Sequence, residues 1–198
     1  DGFLDLYVAK YLEFDEHEIP VPGDGACFYG AVEVFCGPEG LTGTRDKFYR
    51  NSGDGTFLPW MESEIDPDAT YGFALIATDC DSDGRPEIYV ANDSNINLLY
   101  RRTSNGGIED WALFGGSGYS GDGREQAGMG ATSADYDGDG LLDVFVTNFQ
   151  NDYNTLYENR GDCNFEDVTA RRGLATSSFP YMGWSAHFLD VDGDADQD

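Results

Sequence analysis

One nine-residue acidic pattern, Asp-x-Asp-x-Asp-[Gly/Ala]-x-x-[Asp/Glu], recurs through this chain in step with a longer repeat. Its copies run Asp79–Glu87, Asp135–Asp143 and Asp190–Asp198, and Asp1-Gly-Phe-Leu-Asp5 is the second half of the same unit. The fifth positions Asp83, Asp139 and Asp194 stand 56 and 55 residues apart. From Asp1 to Asp83 the interval is 82 residues, so that stretch carries an insertion. A fixed period of about fifty residues marks a propeller, a solenoid or another array.

The residues around the loops repeat as well. After them come Asp5-Leu-Tyr-Val-Ala, Glu87-Ile-Tyr-Val-Ala and Asp143-Val-Phe-Val-Thr, β-branched and aromatic runs that read as strands. Before them lie 71–78, 127–134 and 182–189, with Gly72, Gly128 and Gly183 each seven residues ahead of the first loop Asp. Ala74, Gly130 and Ser185, five residues ahead, are also small, which lets innermost strands crowd a central axis. The second half of each period reads as a hairpin, in 47–57, 97–108 and 155–165, with Gly-Asp-Gly or Asn-Gly-Gly supplying turn residues. No helical period of useful length appears. The expectation is an all-β chain of four-stranded antiparallel blades, and four-stranded units in series are propeller blades. The units divide as 1–9 and 10–70 (one blade with a Gly/Pro/Cys-containing insertion), 71–126, 127–181, and 182–198 opening the next. At about 55 residues to a blade, the chain holds three to four, so it reads as a fragment of a longer propeller.

Alternate carboxylates around a tight turn converge on one point, and calcium, with six to eight oxygens in a flexible shell, tolerates that crowding best. The expected ligands are Asp79, Asp81, Asp83 and Glu87; Asp135, Asp137, Asp139 and Asp143; and Asp190, Asp192, Asp194 and Asp198. Arg85 and Leu141 are expected to add backbone carbonyls, and Asp1 and Asp5 belong to the partial loop. The helix–loop–helix calcium hand is excluded, because it needs Glu at position twelve, where Val90 and Val146 stand. Ala195 replaces glycine at position six of the last loop, a costly exchange if the backbone there is left-handed.

The charge agrees with cation loops. Asp plus Glu number 38 against 11 Lys plus Arg, a formal net charge of −27, and fourteen of the carboxylates stand at loop ligand positions. Without a cation such crowding costs stability and raises carboxylate pKa values. No basic patch offsets the charge, which argues against nucleic acid or an anionic membrane as partner. No apolar run approaches the roughly 20 residues of a membrane helix. Aromatic content of 14% argues against an acidic disordered chain.

The run Asp135-Tyr-Asp-Gly-Asp-Gly-Leu-Leu-Asp-Val-Phe-Val-Thr-Asn148, followed by Asn154-Thr-Leu-Tyr-Glu-Asn and Phe165-Glu-Asp-Val-Thr, resembles the FG-GAP/VCBS repeat family. Gly123-Arg-Glu-Gln-Ala-Gly-Met-Gly130 and Val34-Phe-Cys-Gly-Pro-Glu-Gly40 are similar to its ASPIC/UnbV-type, cartilage acidic protein-like subgroup. The resemblance covers essentially the whole chain. It implies a seven-bladed propeller of the integrin α-subunit kind, with calcium in hairpin loops on one face. Cys80, inside a loop, and Cys163, in a hairpin turn, depart from that pattern.

Cys27 and Cys36 are expected to form a disulfide stapling the insertion, as suits an exported protein. Cys80 and Cys163 are expected to be small buried or turn residues rather than partners. A zinc site at Cys27 and Cys36 would need more than His17 beside them. His187, on an expected inner strand, reads as a packed polar residue, and no nucleophile elbow, Cys/His pair or phosphate loop appears. Arg124 and Glu125, in 120–126, are the best candidates for a functional surface. The expectation is therefore a non-catalytic, calcium-binding scaffold, secreted or periplasmic, for adhesion or for binding an extracellular protein or a glycan. The alternatives are the propeller domain of a secreted carbohydrate-active enzyme with structural calcium, and a purely structural repeat.

Overall fold

In a computed structural model, which describes residues 2–17, 27–34, 37–38, 41–60, 69–194 and 196–197, the repeat becomes a row of antiparallel sheets. Strand β1 (Leu6–Val8) is followed by a two-stranded hairpin in the insertion, β2 (Phe28–Tyr29) and β3 (Val32–Glu33), and then by β4 (Lys47–Asn51) and β5 (Phe57–Trp60). Strands β1, β4 and β5 pair in that order. A second sheet holds β6 (Gly72–Thr78), β7 (Glu87–Asn92), β8 (Leu98–Arg102) and β9 (Ile108–Asp110), hydrogen-bonded in sequence order. After the single-turn helix α1 (Ala112–Gly115), a third repeats it with β10 (Gly128–Ala134), β11 (Asp143–Asn148), β12 (Thr155–Asn159) and β13 (Phe165–Asp167), and the four-residue α2 (Ala175–Ser178) follows. The chain is all-β, as its patterning requires. The three-stranded sheet supplies the counterparts of the second to fourth strands of the other two.

Period-two alternation explains how the sheets stack, because successive strand residues face opposite sides. On β7, Tyr89 and Ala91 join Leu99, Val144, Val146, Tyr157 and Phe165 in a core between the two four-stranded sheets. Val90, from the other face, joins Leu98 and Tyr100 in a second core, which also takes Tyr7 and Phe48 of the three-stranded sheet. The middle sheet is thus buried on both sides, and β7 reads as a nearly continuous apolar run. The rings of Tyr89 and Tyr157 lie 6.5 Å apart, and their hydroxyls donate to the carbonyls of Ser117 and Tyr119 in the link between sheets.

The small residues of the inner strands have the expected purpose. A side chain at Gly128 would meet the Asn92 carbonyl at 3.0 Å and the Ala91 Cβ at 3.1 Å, both on β7 of the preceding sheet. One at Gly72 would meet Ala9 Cβ and the Lys10 carbonyl, each at 3.2 Å, just past β1. Glycine is what lets each inner strand abut the sheet before it. Both inner strands also carry a bulge at this end, between Gly72 and Ala74 and between Gly128 and Gly130.

One expected strand is absent. The run 182–189 is not a strand, although its Gly183 N–H donates to the Asn148 carbonyl as Gly72 N–H donates to Lys10. Strands β6 and β10 each pair with the strand after their own acidic loop, and among the described residues 182–189 has no such partner. His187 accordingly sits exposed in an extended segment.

Candidate metal centre

The acidic loops at Asp79–Glu87 and Asp135–Asp143 each connect the first two strands of a sheet. In each, the first Asp follows the last residue of the inner strand, and the ninth residue opens the next strand: Thr78 pairs with Glu87, and Ala134 with Asp143. The turn between is built from Asx-type hydrogen bonds. In the second loop Asp135 Oδ1 accepts the N–H groups of Gly138 and Asp139 at 2.8 and 3.0 Å, and Oδ2 accepts that of Gly140 at 2.9 Å. Asp79 Oδ2 accepts Gly84 N–H at 3.0 Å in the first loop, and Asp190 Oδ1 accepts Gly193 N–H at 2.6 Å in the third. Position six lies at φ +84° in Gly84 and +90° in Gly140, the left-handed backbone that glycine adopts without strain. The corresponding Ala195 lies outside the described residues.

This geometry gathers some of the expected ligands and not others. Asp79, Asp81 and Glu87 each bring a carboxylate oxygen within 4.8 Å of the others; so do Asp135, Asp137 and Asp143, and so do Asp190, Asp192 and Asp194. Positions one, three and nine converge in the first two loops. The fifth positions Asp83 and Asp139 lie outside those groups and accept the N–H of residue seven, Arg85 or Leu141, each at 2.8 Å. Asp5 accepts the Asn51 N–H at 2.9 Å. Asp1 and Asp198 lie outside the described residues.

The electrostatics fit a cation. Glu87 is only 4% exposed, and burial together with the charges of Asp81, Asp83 and Asp79 pushes its pKa up to about 7, against the pull of the Cys80 N–H. Asp143, 1% exposed, is pushed up to about 6 by burial and by Asp137 and Asp139, although the N–H groups of Asn159 and Tyr136 favour its charge. Asp79 Oδ1 is buried with no hydrogen-bond partner among the described residues. A buried, unpartnered carboxylate oxygen beside two more acids is costly. An oxygen-seeking divalent cation removes that cost by taking the lone pairs, so the residues fit calcium on this chain's own geometry.

Cys80 and Cys163 correct the sequence expectation. They are fully buried and joined as a disulfide, with Cα atoms 4.9 Å apart. Cys80 is the second residue of the first loop, and Cys163 lies in the β12–β13 turn of the following sheet. Stacking brings that turn onto that loop, a contact no single-sheet pattern reveals. The two sulfurs lie 3.4 and 3.8 Å from Glu87 Oε2. The expected Cys27–Cys36 bridge lies outside the described residues, because Cys36 does.

Two asparagines were missed. Asn159 N–H donates to Asp143 Oδ1 at 2.8 Å, its amide donates to the Leu142 carbonyl at 3.0 Å, and its Oδ1 accepts Gly161 N–H at 2.9 Å. Asn51 does the same with Asp5, Leu4 and Gly53, at 2.9, 3.0 and 2.9 Å. Each locks the ninth loop residue to the neighbouring hairpin turn. Their signal was the matched Asn-x-Gly-Asp that ends both third strands. Arg124, by contrast, is engaged with Asp122 at 2.8 Å at the opposite end of the sheets, far along the strands from the acidic loops.

No curated protein matches this chain. The model of the FG-GAP-like repeat matches it three times, over 30–90, 79–146 and 135–198, and the second and third matches begin at the first Asp of an acidic loop. With the matches running from 30 to 198 and in register with the sheets, this chain belongs to the FG-GAP-like repeat family.

Proposed function

We propose that this chain is a calcium-binding β-propeller scaffold that works without catalysis and presents its loops outside the cytoplasm to a protein or a glycan. The observation that carries the reading is the set of in-phase loops, each gathering three carboxylates, one of them with the buried and unpartnered Asp79 Oδ1. A propeller arrangement is favoured by the stacking of successive sheets through their inner strands, and seven blades is the number that the resemblance to the ASPIC/UnbV-type subgroup implies. The Cys80–Cys163 disulfide supports an oxidising compartment, where such bonds persist. Among the described residues no helix is long and apolar enough to cross a membrane.

Calcium here stabilises the loops and neutralises their charge, and the side chains hold and orient it. A ligand that binds only the folded state stabilises by mass action, about 0.4–1.4 kcal/mol per site at one to ten times its dissociation constant, and the loops add up. Calcium at millimolar concentration should therefore raise the melting temperature by several degrees over the chelated protein, with affinity of about 10⁻⁴–10⁻³ M, as in extracellular modules. A melting curve identical in calcium and in chelator would overturn the reading.

A further inference from the structure

We propose that the acidic loops at Asp79–Glu87 and Asp135–Asp143 bind cations as one coupled unit, with Asn159 as the positioning residue that carries the coupling. The inference rests on the calcium reading and goes beyond it, because nothing in a nine-residue loop requires that it sense its neighbour.

The side chain of Asn159 is fully buried between the loops. Its amide nitrogen has two hydrogens and uses both across the gap: one goes to the Cys80 carbonyl in the first loop at 2.8 Å, the other to the Leu142 carbonyl in the second at 3.0 Å. Its backbone N–H holds Asp143, a converging ligand of the second loop, at 2.8 Å. Cys80 in turn donates its own N–H to Glu87 Oε2, a converging ligand of the first loop, at 3.0 Å. Two residues thus connect the ninth-position carboxylates of both loops. The covalent link closes the circuit, since Cys163 sits in the turn that Asn159 fixes through Gly161 and is bonded back to Cys80.

A cation that orders the first loop fixes Cys80, and Cys80 fixes Asn159 and with it Asp143. Ordering paid for at one loop need not be paid again at the other, which is positive coupling. Among the described residues the device is seen at this pair. Asn51 caps Asp5 in the same way, but its amide donates to Leu4 of its own sheet, and Arg102 stands at the matching place in the middle sheet.

The test uses terbium(III) as a calcium stand-in on the whole chain, with calcium competing. Tyr136 lies beside Asp135, whereas Tyr89 and Trp111 pack with Cys80 beside the first loop, so the part of the sensitised emission that Tyr136→Phe removes reports the second loop. Asp81→Asn disables the first loop. It should weaken terbium and calcium at the second loop about five-fold or more, the lower range of ordinary allosteric coupling. Asn159→Ala should weaken the second loop and abolish the further effect of Asp81→Asn, while Asn51→Ala should leave that loop's affinity unchanged. Asn159→Ser replaces the alanine variant if it does not fold, and the Asp81→Asn comparison decides the coupling by itself. If both loops bind but Asp81→Asn leaves the second unchanged, the coupling is overturned and the calcium reading stands. If the Asp81→Asn effect persists without the Asn159 amide, Asn159 is not its carrier. If neither loop binds terbium or calcium, the calcium reading itself fails.

Discussion

Glu87 and Asp143 show what the pattern of acids leaves open: which carboxylate bears the strain of crowding. The loops at Asp79–Glu87 and Asp135–Asp143 each carry four equivalent-looking acids, yet it is the ninth that is buried at the head of a strand, and its pKa is pushed up, to about 7 in Glu87 and about 6 in Asp143. A carboxyl whose folded pKa exceeds its unfolded value binds protons better in the native state, so stability falls as pH rises between the two values. In chelator, the protein should lose stability from about pH 4.5 to about pH 7, and its melting temperature should be higher near pH 5 than near pH 8. Calcium should reverse the trend, since ligands must be deprotonated to bind it. Glu87→Gln should flatten the slope in chelator and remove the calcium response of the first loop. Melting curves at the two pH values, with and without calcium, check this; a chelated protein more stable near pH 8 contradicts it. The acids themselves were legible by spacing. That Asp83 and Asp139 turn to the N–H of residue seven, and that asparagines hold Asp5 and Asp143, required the folded hydrogen bonds.

Strand positions were readable because a strand's period of two and the turn residues that bound it are local. Strands β6, β7, β10 and β11 fall where the β-branched runs and glycines place them, and the small inner-strand positions foretell the close approach between sheets. Gly130 is the sharpest case. A Cβ there would stand 2.7 Å from Thr147 Oγ1 and from the Trp184 carbonyl, and 2.9 Å from Ser185 Cα. Gly130→Val should therefore destabilise by about 1–3 kcal/mol, the usual cost of overpacking, as read by urea unfolding in calcium. An unchanged midpoint would mean that the 182–190 segment yields freely. That segment also marks the limit of local reading: 182–189 has the composition of its two counterparts and yet forms no ladder. Strand character in isolation is weak, and pairing decides it.

For the whole molecule, the stacking that buries both faces of the middle sheet leaves apolar surface at each end of the row. Leu4 is 87% exposed, Val191 75% and Trp184 58%, and contiguous exposed apolar faces drive association. Light scattering across a concentration series should find oligomers of these 198 residues even in calcium. A compact monodisperse monomer at all concentrations would show that the two ends close on each other instead. The amino-acid sequence by itself determined the all-β class, the four-strand unit, the places of the acidic loops and the glycines between sheets. Each follows from residues within about ten positions of one another, where backbone geometry alone restricts the outcome. Only the tertiary structure decided that Cys80 bonds to Cys163, 83 residues away, and that Asn159 reaches the Cys80 carbonyl across 79 residues. Such contacts arise when one sheet is laid on the next, and the relative placement of two surfaces is written in no single segment of the chain.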